Sequence, residues 1–216
     1  MGELRQLPPR GHYLAHEVGR LAGVSGDRIG QWARYGYIHS SQSDGNPRVY
    51  SYQDAAEAMM VHDLLNHDFP YSEIKHAIEQ LRADYGDWPL THADLAAGSG
   101  GLLVQRGGKH YDVSRHDWHQ ILRVENPTEI ANQLHAGGWA VREVPDLRHI
   151  EVDPDRLSGR PTIRGRRVPV EMVAELGKTD HGVEVLRDDY DLTPAQIRDA
   201  QRWWDAVRGF ERPVAA

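Results

Sequence analysis

The chain has 216 residues, a formal net charge of −7 and no cysteine. That length suits one large domain or a few small ones, and the missing cysteines exclude disulfides and thiolate zinc sites and fit a reducing cytosol. No apolar run approaches the ~20 residues of a bilayer span, and MGELRQLPPRGH carries no apolar stretch after its charges, so a soluble cytoplasmic protein without signal peptide or membrane contact is expected.

The first predicted element is a short amphipathic helix in HEVGRLAGVS, with Val18, Leu21, Ala22 and Val24 apolar and Gly23 closing it. Ser25 is a good N-cap for a second helix, GDRIGQWARYG. Its inward face is Ile29 and Trp32, its outward face Arg28, Gln31, Arg34 and Tyr35, and Gly36 stops it. Two short helices around a tight Gly-Val-Ser turn predict a helix-turn-helix. Asp44-Gly45-Asn46-Pro47 signals a turn, and Arg48-Val49-Tyr50 a short strand leaving it, which together make a wing. Ser51 with Asp54 predicts a capping box for AAEAMMVHDLLNHD. Pro70 breaks that helix, and Ser72 starts SEIKHAIEQLRAD. Acids crowd this quarter, from Asp54 and Glu57 to Asp87 and Asp94, opposed by Lys75 and Arg82, whereas Arg20–Arg48 and Arg156–Arg167 lean basic.

A second segment covers roughly 87–150. GLLVQRGGKHYDV reads as a hairpin around Gly107-Gly108. NPTEIANQLHAGG reads as a helix capped by Asn126, and WAVREV as a strand. The third segment, 151–216, opens on RLSGRPTIRGRRVPV, where Arg160, Arg164, Arg166 and Arg167 surround two glycines on a frame of Pro161, Ile163, Val168 and Val170. Pro169 begins a helix to Leu176, HGVEVLRDDY is a second, and Thr193-Pro194 caps a third with the stripe Ile197, Ala200, Trp203 or Trp204, and Val207. The expected fold is mainly α (α+β): a winged helix-turn-helix over 1–86, a small α+β connector over 87–150, and a three-helix helix-turn-helix with a short β arm over 151–216.

Two resemblances add to this. YLAHEVGRLAGVSGDRIGQWARYGYI with PRVYSYQDAAEAMMVHDLLNHDFPYSEIKHAI resembles the DNA-binding region of the MerR family. The resemblance implies that the second helix, with Arg28, Gln31, Arg34 and Tyr35 after Ser25, meets the major groove of double-stranded operator DNA, and that Arg48 and Tyr50 touch its backbone. Where MerR proteins continue into a long dimerisation helix, ADYGDWPLTHADL interrupts the pattern. The third segment, with Gly159, Pro161, Ile163, Gly165, Arg167, Pro169 and Val170, resembles the family catalogued as domain of unknown function 433. Its members look like VapB-type antitoxins partnered with PIN-like ribonuclease toxins. The implied function is an antitoxin of a type II pair that neutralises such a toxin and, as a homodimer or a larger complex with it, binds and represses its own operator.

The arginines Arg160, Arg164, Arg166 and Arg167, with Trp203 and Trp204, are then candidates for a toxin or dimer interface, since arginine and tryptophan are favoured there. The plainer alternative pairs the arginines with Asp153, Asp155, Glu171 or Glu175. A stand-alone MerR-like regulator sensing a small ligand is the second functional reading. HYDVSRHDWH has close histidines but no complete ligand set, so neither a metal nor another cofactor is expected. No phosphate loop, nucleophile elbow or His-Glu-x-x-His occurs, so no catalytic residue is assigned.

Overall fold

The structure, a computed structural model, describes residues 11–98, 101–114, 119–121, 128–129, 142–144, 146–153 and 156–208. The N-terminal unit begins with α1 (Ala15–Ala22), which buries Val18, Leu21 and Ala22 and ends at the left-handed Gly23. α2 (Gly26–Tyr35) follows, its N-cap Ser25 accepting the Arg28 amide on the side-chain oxygen at 3.3 Å. Ile29 and Trp32 are buried and Gly36 closes the helix, as the sequence pattern predicts. α1 and α2 cross closely, and a Cβ on Gly26 would sit 2.9 Å from the His16 Cα. Glycine at that position permits the tight turn between the helices.

The wing is a minimal hairpin. Ser43 pairs with Val49 around the exposed turn, and Tyr50 pairs with Tyr13. α3 (Tyr52–Asn66) then starts at the predicted Ser51–Asp54 capping box, and α4 (Tyr71–Tyr85) follows Pro70. The first ten residues of α3 are buried on every side, polar Gln53, Asp54 and Glu57 included. Part of the acidic run is therefore buried.

After α4 the chain turns at Gly86 into α5 (Pro89–His92) and folds back against α3 and α4. An antiparallel sheet follows: β1 (Leu95–Gly98), β2 (Gly101–Arg106), β3 (Lys109–Asp112), β4 (His119–Ile121) and β5 (Thr128–Glu129), in the order β4-β3-β2-β1-β5. The β2–β3 hairpin turns at Gly107-Gly108, as read. Thr128 and Glu129 correct the helix reading, because they pair with Ala97 and Ala96 on the edge of β1. Backbone bonds to that edge outweigh the local helix signal. The rest of the expected helix lies outside the described residues.

In the C-terminal unit, β6 (Arg142–Val144), β7 (Leu147–Val152) and β8 (Thr162–Ile163) form a second sheet in that order. β7 runs across the expected boundary at residue 150. α6 (Val170–Leu176), α7 (Asp180–Asp188) and α8 (Pro194–Arg208) complete the unit. α8 lies on β7 and α6, with Ile197, Ala200, Trp203 and Val207 buried. One continuous core joins the units, and α1 touches α8. No described helix is long and apolar enough to cross a membrane.

Candidate nucleic-acid interface

On α2, burial of Ile29 and Trp32 turns the remaining face outward. Arg28, Gln31, Arg34 and Tyr35 are all exposed, Tyr35 to 62%. At 1.5 Å per residue these four span roughly 10 Å of helix. That face suits a B-DNA major groove about 12 Å wide, where arginine reads guanine and glutamine reads adenine by paired hydrogen bonds. α4 holds the helix from behind. The Trp32 indole N–H donates to the Tyr71 hydroxyl at 3.2 Å, and the Lys75 ammonium donates to the Tyr35 carbonyl at 2.7 Å. Tyr71 and Lys75 were not picked out from sequence, because nothing local ties them to a helix some forty residues earlier.

The wing residues divide. Arg48 is half-buried, within reach of the surface. Tyr50 is fully buried, and its main chain is committed to Tyr13 through two hydrogen bonds of 2.8 and 2.9 Å. Its expected contact with the DNA backbone is corrected on that ground: the ring fills the core between wing and helices.

Asp54, read as a cap, does more than cap. Its carboxylate is fully buried and accepts the Ser41 amide and hydroxyl at 2.8 and 2.7 Å, the Ser51 amide at 2.8 Å and the Trp88 indole N–H at 2.8 Å. It ties the base of the wing to the segment that interrupts the long-helix pattern. One turn on, Glu57 accepts the Leu90 and Thr91 amides at 3.0 Å each. Burial pushes its carboxyl up from 4.5 to about 8, against the downward pull of those donors. Between these values the folded protein holds a proton that the unfolded chain has released. The stabilising contribution is therefore complete below pH 4.5 and lost as pH rises through 8. Unfolding by urea should show a loss on the order of 5 kcal/mol across that window, and Glu57→Gln should flatten it. An equal slope in both proteins would assign the dependence to other groups.

In the C-terminal unit the arginines sit on a tight hairpin. The Arg166 amide donates to the Ile163 carbonyl at 2.9 Å, and the Ile163 amide to the Val168 carbonyl at 2.9 Å. The buried Glu151 carboxylate accepts the Gly165 amide at 3.0 Å and the Arg156 guanidinium. Arg166 is held at 2.6 Å by the Tyr190 carbonyl and at 3.2 Å by Asp191, a partner outside the acids named from sequence. Arg164 is half-buried, while Arg160 and Arg167 are exposed and make no ion pair among the described residues. Trp203 is 1% exposed and is core rather than interface. Trp204 is half-buried, its indole N–H donating to Glu175 at 3.1 Å. The exposed acids Asp180, Glu184, Asp188, Asp189 and Asp191 on and after α7 outnumber Lys178 and Arg187, so the α7 face is acidic and unsuited to phosphate.

In the middle segment, Asp112 accepts the Ser114 amide and hydroxyl at 2.9 and 2.6 Å, a structural role. Residues 115–118 of the histidine-rich stretch lie outside the described residues, and among the described residues no group of three or more metal-ligating side chains clusters.

An exposed second helix, a hairpin wing and a supporting helix pair make a winged helix-turn-helix unit, an arrangement that suits DNA binding. Residues 13–81 match the model of the MerR HTH family regulatory proteins, and residues 150–203 match that of a protein of unknown function, DUF433. Among solved structures, Rv2018 from Mycobacterium tuberculosis is similar at 19% identity and a TM-score of 0.57, covering 90% of this chain and 100% of that one. At that identity the likeness concerns the fold. No curated protein matches.

Proposed function

We propose that this protein is a DNA-binding transcription regulator that docks α2 in the major groove of its own operator, and that it is the antitoxin of a toxin–antitoxin pair. The observation that carries the DNA part is the exposed row Arg28, Gln31, Arg34 and Tyr35 on a helix pinned by Trp32, Tyr71 and Lys75. Ser25 caps that helix beside the row, and Arg48 on the wing would anchor a phosphate. Two copies would read two half-sites. The toxin part rests on the resemblance of the stretch from Gly159 to Val170 to the domain of unknown function 433, whose members look like VapB-type antitoxins. Arg160 and Arg167 are the exposed guanidiniums of the hairpin, suited to an acidic partner such as a PIN-like ribonuclease. Arg166 instead ties the hairpin to Tyr190 and Asp191 after α7.

A stand-alone regulator answering a small ligand is favoured by one feature. A cleft at the junction of the units is lined by His12, His16, Arg160, Val170 and Trp204, the kind of place ligands occupy.

Two assays separate these readings. Binding to a duplex from the chain's own upstream region should fall steeply with salt, with a log–log slope of about −0.9 per neutralised phosphate. A flat dependence would oppose phosphate-anchored docking. Co-expression with the flanking genes should yield a stoichiometric small partner, toxic alone, that Arg160→Ala with Arg167→Ala no longer retains. A protein purified alone that still binds its upstream DNA would favour the stand-alone regulator.

A further inference from the structure

Tyr13 occupies a junction that no local motif announces. It is 1% exposed. Its main chain forms both hydrogen bonds of the bridge to Tyr50, the residue that ends the wing. Its hydroxyl donates to the carbonyl of Gly159 in the C-terminal unit, 146 residues away. Burial pushes the hydroxyl up, so it stays a donor at any physiological pH. Gly159 is shaped for this contact: its φ is +80°, and an added Cβ would lie 2.5 Å from the Tyr13 hydroxyl oxygen and 3.3 Å from the Gly11 Cα. The wing's other end is held within the N-terminal unit, where Ser41 bonds Asp54. The path from the C-terminal unit to the wing is thus short: Gly159, the Tyr13 side chain, the Tyr13–Tyr50 bridge, then Val49 paired with Ser43.

From this we infer that Tyr13 is a positioning residue through which the C-terminal unit holds the wing in register for DNA. Whatever binds around Gly159 and the adjoining Arg160 is then sensed at Arg48, two residues from the bridge. The inference builds on the DNA-binding reading, but its test does not need DNA.

Hydrogen exchange on the free, full-length protein compares wild type with Tyr13→Phe, which keeps the ring and both backbone bonds. Exchange of the Val49 and Tyr50 amides should accelerate roughly tenfold while amides inside α2 and α3 keep their rates. Gly159→Ala, made in the other unit, should give the same local pattern. Unchanged wing exchange in Tyr13→Phe, or an equal acceleration throughout the N-terminal unit, would overturn the inference. If Gly159→Ala does not fold, Tyr13→Phe alone decides. Affinity for the upstream duplex, measured in parallel, should drop in Tyr13→Phe. A wild type that binds no duplex would overturn the DNA reading and leave the exchange rates to judge the latch.

Discussion

Alanine at both Arg28 and Arg34 should weaken operator binding by ~2–6 kcal/mol, from about 1–3 kcal/mol for each base-edge contact. The two positions lie six residues apart, roughly 9 Å along the helix, so their losses should be close to additive. Both side chains are exposed, and surface changes of this kind usually alter stability by less than about 0.5 kcal/mol. A large loss of affinity at an unchanged unfolding midpoint is therefore the expected result, measured by titration of a labelled duplex at fixed salt. Gln31→Ala should relax discrimination at one base pair and spare overall affinity more. Undiminished binding in the double variant would move the DNA surface off α2.

Asp54→Ala should be among the most damaging single changes in the N-terminal unit. The carboxylate accepts from two backbone amides, a hydroxyl and an indole, all within 2.8 Å. Removing it strands buried donors, at about 1–3 kcal/mol each. Because these donors share one site, their costs are not additive, and ~3–5 kcal/mol is the expected total. That is a large part of the 5–15 kcal/mol that holds a typical domain. Equilibrium unfolding in urea measures it directly. Asp54→Asn keeps the shape and one acceptor oxygen, so its loss should be smaller. A loss below about 1 kcal/mol for the alanine variant would mean that water replaces the carboxylate's bonds.

Much of the helical framework was legible because its signals are local. Ser25 and the Ser51–Asp54 pair cap helices, Gly23 and Gly36 end them, and Gly107-Gly108 turns a hairpin, each within four residues of its effect. The inward and outward faces of α2 followed from the helical period alone. Local signals failed where a distant partner decided the outcome. Thr128 and Glu129 carry a helix pattern, yet the edge of β1 claims their backbone.

For the candidate site, the residue types and spacing on α2 determined which side chains a DNA helix would meet. Tertiary structure alone decided which of the other candidates reach the surface. Tyr50 lies under the wing, Trp203 rather than Trp204 enters the core, and Arg166 bonds the chain after α7. The same holds for Asp54, read from sequence only as a cap, and for Glu57: Ser41, Trp88, Leu90 and Thr91 are brought to them from elsewhere in the chain. The physical reason is range: caps and periodicity act within a few residues. Burial and hydrogen bonding of a side chain depend on atoms delivered from anywhere in the chain, as the Tyr13 hydroxyl is delivered to Gly159.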